Sequence, residues 1–356
     1  MDAITDLGSA DGEAGAMVSL YCGAGGMDLG FKQAGFQPIW ANDIDPVAVE
    51  TYNKAIGEPV ARAGDLANWC DDLPAPGSVD LVIGGPPCQG FSVAGKMDPH
   101  DPRSRHVFSF MAAVHQLRPR AFVMENVRAL AINRRWKTLL GELTGRASDA
   151  GYATRLLLLN SSCYAVPQAR ERMFLIGART ALGADLLPPT VTADRPPTVR
   201  DAFDRLPSFG APGNNSASTA RITAARKPVL RKSPYAGMLF NGQGRPMDLD
   251  KPAPTLPASM GGNRTPIVDQ HQYDRGGDSW VVGYHSHLRS GGAPCDEVPH
   301  RLRRLTVEEA AEIQTFPQGM YWAGPRSGQF RQIGNAVPPV LAYRVATALR
   351  RALGAG

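Results

Sequence analysis

The sequence predicts an α/β protein: a mostly parallel sheet with helices on both faces, joined to a second, smaller domain. Three observations carry this. Between residues 17 and 177 short apolar runs alternate with amphipathic stretches, so strand and helix follow one another. A glycine cluster, Gly23-Ala24-Gly25-Gly26, separates the first such strand from the first helix, as in open parallel sheets that bind ligands at their strand ends. A length of 356 residues exceeds what one ordinary core needs, which sets the expectation at two domains.

Strands are expected at 18–21, 38–41, 79–83, 121–124, 154–159 and 173–176, and helices after Gly26, Asp45, His106 and Asn133. Asp45-Pro46 is a helix start, because the carboxylate caps free amides and proline suits the first helical position. The stretch 207–220, rich in Gly, Ser and Asn, reads as a linker or long loop, and few helical periods follow it until Thr306. There Thr306-Val-Glu-Glu309 is a capping box opening a helix to about Thr315, and 338–353 reads as a C-terminal helix. No internal repeat is apparent.

Composition narrows the function classes. The first sixteen residues carry Asp2, Asp6, Asp11 and Glu13 without Lys or Arg, the opposite of a secretory or transit leader, and read as a disordered tail. No apolar run reaches about 18 residues, so a soluble, cytoplasmic protein without a membrane partner is expected. The five cysteines are far apart, with no Cys-x-x-Cys pair and no zinc-like histidine spacing, which suits a reducing compartment and no metal. His285 and His287 lack a third ligand and read as loop residues. The formal charge of +5 is unevenly spread: 179–303 holds 16 Lys and Arg against 11 Asp and Glu, while the rest balances at 22 against 22. A basic, Gly- and Pro-rich module beside a neutral one fits a polyanion-binding attachment, although ordinary scatter over a solvated surface would look the same.

The run Gly84-Gly-Pro-Pro-Cys88-Gln-Gly-Phe-Ser92 sets one cysteine on a stiff loop directly after an apolar strand, as a nucleophile requires, since prolines fix the backbone that must hold the sulfur. The bland alternative is a small loop residue. After the first strand, the glycine cluster lets backbone approach a ligand closely, and a dinucleotide is the first guess. Asp28 stands where the dinucleotide fingerprint wants its third glycine, which weakens that reading. Asp43, at the end of the second strand, is placed to take both ribose hydroxyls of an adenosine-containing ligand, and Asp65 to bond the adenine amino group. Glu125, at the tip of the apolar strand 121–124, is expected to share the sheet's carboxyl-end mouth with Cys88, unless it is a helix cap or a salt bridge. Arg170 and Arg172, two apart, would point to one face if extended, either as an ion-pair network or to hold an anionic or carbonyl-bearing substrate.

In their order these features resemble the DNA cytosine-5 methyltransferases of the bacterial restriction-modification type. The matches are Tyr21-Cys-Gly-Ala-Gly-Gly26, Asn42-Asp43, Pro86-Pro-Cys-Gln89, Glu125-Asn-Val127 and Gln168-x-Arg170-x-Arg172, then Arg304-Leu-Thr306, Gln314-Thr-Phe-Pro317 and Gln332-Ile-Gly-Asn335-Ala-Val-Pro338. The resemblance spans 17–177 and 302–349. Ser19, Tyr21, Ala336 and His106 depart from it, where Asp, Phe, Ser and an apolar residue are usual.

The resemblance implies a Rossmann-like sheet that binds S-adenosyl-L-methionine (AdoMet), built from 17–180 and 326–356, and a target-recognition domain with hinge at 181–325. It implies methyl transfer to carbon 5 of a flipped cytosine in double-stranded DNA through a covalent Cys88 adduct, releasing S-adenosyl-L-homocysteine. Glu125 would bond ring N3 and the amino group, Arg172 with Arg170 would serve cytosine O2 and the thiolate, and the Pro87 carbonyl would accept from the amino group. Tyr21, Gly23, Gly25, Gly26, Asp43, Ile44, Asp65, Pro86, Asn335, Ala336 and Val337 would line the cofactor site. Gln89, Ser92, Lys96, Arg103, Thr255 and Arg264 would contact DNA, with Thr255-Leu256 as the recognition-domain signature. It also implies a monomer near the nucleoid and functional pairing with a restriction endonuclease. Three alternatives stay open: an RNA methyltransferase of the same fold, a dinucleotide oxidoreductase, and a noncatalytic DNA-binding relative.

Overall fold

Runs such as Leu81-Val-Ile-Gly84 and Ala121-Phe-Val-Met124 are apolar on both faces, so they can only be satisfied in the middle of a sheet covered on both sides. The computed structural model, which describes residues 7, 12, 14–87, 105–182, 185–192 and 195–354, places them there. Its described residues divide into two compact units, one within 4–165, 170–192 and 336–356, the other within 166–169 and 193–335. No helix among the described residues is long and apolar enough to cross a membrane.

In the first unit the order is β1 (Gly15–Leu20), α1 (Gly26–Gln33), β2 (Phe36–Asp43), α2 (Pro46–Ile56), β3 (Ala61–Ala63), β4 (Leu81–Gly84), α3 (His106–Leu117), β5 (Ala121–Val127), α4 (Arg128–Ile132), α5 (Lys137–Asp149) and β6 (Tyr152–Asn160). After the two-residue β7 (Gln168–Ala169) of the other unit, β8 (Glu171–Arg179) completes the sheet. The seven strands lie in the order β3-β2-β1-β4-β5-β8-β6. All neighbours are parallel except β8, which runs antiparallel to both β5 and β6. Strand order reverses at β1 and β4, so the ligand crevice lies beyond their carboxyl ends. Beneath it Phe110, Phe122 and Tyr152 pack edge to face, at 6.2 and 5.4 Å between ring centres, with Trp136 fully buried in the same core.

Each helix predicted before residue 150 is present. Asp45 caps α2 through a 3.0 Å bond from the Val47 amide, and Pro46 is its first residue. The helix expected after Asn133 begins as a short 3-10 turn before α5. Two boundaries differ from expectation: β1 starts at Gly15, inside the stretch read as tail, and the units part at 193 and 335 rather than at 181 and 325.

The second unit holds α6 (Val199–Phe203), β9 (Ala224–Val229), β10 (Met238–Phe240), β11 (Ala253–Pro254), β12 (Ile267–Asp269), α7 (Gln270–Arg275), α8 (Trp280–Arg289), β13 (Leu302–Arg304), α9 (Val307–Ile313) and α10 (Arg326–Asn335). Its core is Leu239, Phe240, Ile267, Val281, Tyr284, Leu288 and Leu302. The capping box forms as predicted, Thr306 and Glu309 each accepting from the other's backbone amide. Helices α7, α8 and α10 were not expected. Asp269 and Ser279 cap the first two, and the Gly-containing α10 is held by buried Phe330 and Ile333, with the Gln314 side chain donating to the Ile333 carbonyl at 2.7 Å. His285 and His287 therefore lie on a helix, not a loop, and each ring bonds a carbonyl, of Arg231 and Ala293. Among the described residues no group of three metal-ligating side chains forms.

The chain returns to the first unit through α11 (Pro339–Ala352), which packs along α1. Arg350 anchors it by a 3.0 Å bond to the Ala34 carbonyl at the end of α1.

Candidate active site

The crevice is built by backbone that must leave a strand and turn sharply. Tyr21, the first residue after β1, has a left-handed φ of 56°, which a side chain tolerates only when its surroundings hold it. Its hydroxyl lies 3.3 Å from His106 Nδ1 and its ring stands edge-on to the imidazole, 5.5 Å between centres. Two of the positions that depart from the family pattern are thus partners. Gly25 caps α1 at φ 83°, and a β-carbon there would press on the Tyr52 ring at 3.0 Å, so glycine is required twice over.

Asp43, at the end of β2, fixes this turn. Its Oδ2 accepts from the Gly23 amide at 2.8 Å and its Oδ1 from the Asp45 amide at 2.9 Å, and a carboxylate has acceptor capacity beyond these bonds. Burial raises the Asp43 carboxyl above its ordinary range, while the amides of Asp45 and Gly23 oppose the rise. Asn42, unremarked by sequence reasoning beyond its place in a motif, proves to be the splice: its carbonyl accepts from Cys22, and its buried amide donates to the Arg62 and Gly64 carbonyls at 3.1 and 3.0 Å. Asp65 follows directly and caps a 3-10 turn through one oxygen, bonded to the Ala67 amide at 2.9 Å. Ile44, 69% exposed, leaves an apolar surface at the same strand end. Gly23 faces open space where a β-carbon would point. An open glycine turn, a strand-end carboxylate and an exposed aliphatic side chain fit a nucleoside ligand: hydroxyls for Asp43, a flat base for Ile44.

One strand over, Glu125 of β5 and Arg172 of β8 meet across the antiparallel ladder, Arg172 Nε to Glu125 Oε1 at 2.9 Å, with side chains 15% and 12% exposed. Glu125 is opposite Phe174, and Arg172 is opposite Val127, so the pair is diagonal on one face. Burial pushes the Glu125 carboxyl up, against the pull of Arg172 first and Arg170 second. Both arginines pull on this one acid, Arg172 by direct contact, while Arg170 lies between β7 and β8 and not on the strand. Arg170 is itself buried, its backbone clamped to Ser161 by two bonds of 3.0 and 3.1 Å. Gly85 lets the loop after β4 pass close to Glu125, since a β-carbon there would lie 3.2 Å from Oε2. The neighbouring Asn126, fully buried, donates to the Pro86 carbonyl at 3.0 Å and so ties the Pro86-Pro87 loop to β5. Sequence reasoning missed this strut. Its signal was a second polar residue at the tip of an apolar strand.

Of the remaining expected residues, Cys88, Gln89, Ser92, Lys96 and Arg103 lie outside the described residues. Ala336 and Val337 belong to the sheet unit, whereas Asn335 closes α10 of the other. In that other unit Ala253 pairs with Gln168, and exposed Thr255 donates to the Ala169 carbonyl at 3.1 Å, so the Thr255-Leu256 segment is anchored on the first half of the Gln168-x-Arg170 motif. Arg264 is exposed, with no hydrogen bond or ion pair among the described residues.

Strand order and crevice make this a Rossmann-like fold of the methyltransferase kind. Two solved structures share it: Entamoeba histolytica methyltransferase EhMeth (TM-score 0.66, 14% identity, 94% of this chain and 97% of that one) and Schizosaccharomyces pombe Dnmt2 (0.63, 17%, 96% and 98%). The sequence profile of the C-5 cytosine-specific DNA methylases matches residues 15–351. Type II methyltransferase M1.HphI of Haemophilus parahaemolyticus is 32% identical over 93% of this chain and 86% of its own length. M.AgeI of Thalassovita gelatinovora is 29% identical over 94% and 99%. The chain belongs to the C-5 cytosine-specific DNA methylase family, and its reaction is site-specific methylation of DNA cytosine at carbon 5.

Proposed function

We propose that the chain is a DNA (cytosine-5-)-methyltransferase that uses AdoMet and works through a covalent Cys88 adduct on a cytosine flipped out of duplex DNA. The observation that carries the reading is the buried Glu125–Arg172 pair at the carboxyl edge of β5, beside a Pro86-Pro87 loop strapped down by Asn126 and immediately preceding Cys88 in sequence. Carbon 5 of cytosine is a poor nucleophile. The Cys88 thiolate adds at carbon 6, and the carbon 5–carbon 6 electrons become available to form the new carbon–methyl bond. A base then removes the carbon 5 proton, and the carbon–sulfur bond breaks to return Cys88.

Glu125 would bond ring N3 and the amino group, and burial, which raises its carboxyl against the pull of Arg172, favours the protonated form that ring N3 needs. Arg172, paired with Glu125, presents its remaining guanidinium nitrogens to cytosine O2, and Arg170 adds positive potential from behind. The Pro87 carbonyl takes the second amino hydrogen. Bound AdoMet supplies an electrophilic methyl on a sulfonium centre. Gly23, Gly25 and Gly26 would admit it, Asp43 would take its ribose hydroxyls, Ile44 and Asp65 would hold its adenine, and Tyr21, Pro86, Asn335, Ala336 and Val337 would close the site.

The unit of 193–335 serves target recognition in this reading, supported by the basic excess of 179–303 and by the unpaired Arg264, with Thr255, Gln89, Ser92, Lys96 and Arg103 also at the DNA. In this reading the protein works in the cytoplasm near the nucleoid and pairs functionally with a restriction endonuclease, a reading that the Type II methyltransferase names of its relatives support.

The test is a duplex carrying 5-fluorocytosine, which cannot lose a proton from carbon 5. Wild type with AdoMet should form an adduct that survives denaturing electrophoresis, and Cys88→Ala none. Methylation by Cys88→Ala at the wild-type rate would refute the mechanism, and transfer of labelled methyl to tRNA instead of duplex DNA would refute the substrate.

A further inference from the structure

A second concave site lies on the flank of the sheet unit, apart from the crevice. On α11, residues 341, 342, 345, 346 and 349 are buried against the unit, while Arg344, Thr347, Ala348 and Arg351 recur at the spacing of one opposite stripe. Across from this stripe runs the segment 185–192, stiffened by Pro188-Pro189 and tied down where the Thr192 amide donates to the Cys163 carbonyl at 3.2 Å. Between them is a cavity of about 610 Å³, within the size range of small-molecule sites.

Its polar lining is Arg344, Arg351, Thr347, Thr190, Thr192 and Asp185. Neither guanidinium forms an ion pair among the described residues, and the Arg344 Nε is buried without a hydrogen-bond partner. A guanidinium is the group best matched to a phosphate fork, and the terminal nitrogens of both side chains carry the donors that a ligand in the cavity would meet. Three hydroxyls complete a donor-rich wall, and one carboxylate offers an acceptor for hydroxyl groups on the same ligand.

The geometry points to a binding site for a small phosphorylated ligand of nucleotide size, its phosphate on Arg344 and Arg351 and its sugar hydroxyls toward Asp185. The concavity suits a mobile small anion better than the outer phosphates of a duplex, which meet convex or grooved basic surfaces. None of the six side chains takes part in the proposed methyl transfer.

The full chain, saturated with S-adenosyl-L-homocysteine so that the donor site is blocked, is titrated calorimetrically with ATP, inorganic phosphate, pyrophosphate and adenosine. Saturable binding of ATP, weaker binding of the two inorganic anions and none of adenosine are expected. Arg344→Ala/Arg351→Ala should weaken ATP binding about 100-fold, the loss expected for two charge-assisted contacts, while DNA methylation without ATP stays at the wild-type rate. If the double variant melts early, Arg351→Gln, at an exposed position, replaces it and should weaken ATP about tenfold. Absence of saturable ATP binding, or equal affinity in wild type and variant, overturns the proposal. So does loss of duplex affinity in the variant without any nucleotide binding, which would assign the arginines to DNA. Phosphate binding as tight as ATP would make the site one for the free anion.

Discussion

Replacing Asp28 by Asn should stabilise the protein at neutral and alkaline pH and leave it unchanged in acid. Asp28 lies in the first turn of α1, wholly buried, and accepts a 2.8 Å bond from the Tyr52 hydroxyl, with the Ser19 hydroxyl also acting on the carboxylate. Burial raises its pKa from 3.8 to about 6. Below the lower value both folded and unfolded chains hold the proton, and the group is neutral in its place. Between the two values the unfolded chain loses its proton first, so stability falls as pH rises, and above about 6 the full penalty applies. A rise of that size corresponds to roughly 3 kcal/mol at neutral pH. Asparagine keeps the acceptor for Tyr52 and removes the charge, and its amide finds Ser19, whose hydroxyl is buried beside it. Urea unfolding of both proteins with pH as the variable should show the variant gaining up to about 3 kcal/mol above pH 6 and converging on wild type toward the carboxylate range. A difference that stays flat across that window would refute the reasoning.

Three further outcomes rest on single contacts. Glu125→Gln keeps the shape of the acid but not its titration, and should lower kcat about 100-fold or more with little change in duplex affinity, read by single-turnover methylation. Asn126→Ala leaves the Pro86 carbonyl without its buried donor and should cost about 1–3 kcal/mol in urea unfolding, with methylation falling further than stability because the loop before Cys88 is loosened. Glu309→Gln breaks the buried two-bond pair with Arg303, at 2.6 and 2.7 Å, and should destabilise the 193–335 unit by about 3–5 kcal/mol, seen as an earlier thermal transition.

Much of the sheet unit was legible because its signals are local. Apolar runs of strand length and Asp45-Pro46 each specify an element through interactions a few residues apart, as does the Thr306–Glu309 box in the other unit, and each formed. Helices α7, α8 and α10 were illegible because no capping box or Asp-Pro start marks them, α7 is only six residues long, and α10 carries two glycines. Their stability comes from packing by Val281, Tyr284, Phe330 and Ile333 rather than from propensity. In the site, Glu125, Arg170, Arg172 and Asp43 could be named from their positions at strand ends. Asn42 and Asn126 could not, since what marks them is the distant carbonyls they bind.

By itself, then, the order of residues determined the α/β class, the glycine turn after β1, the acid at the tip of β5 and the family, since all of these are written in contiguous patterns. Only the tertiary structure decided that β8 runs antiparallel between β5 and β6 and so brings Arg172 diagonally onto Glu125, that Tyr21 meets His106, and that Asp43 Oδ2 accepts from the Gly23 amide of the turn after β1. The three side-chain contacts, Asp43 with Gly23, Glu125 with Arg172 and Tyr21 with His106, join residues 20 to 85 positions apart. Their energies depend on distance and burial, which a linear pattern does not contain.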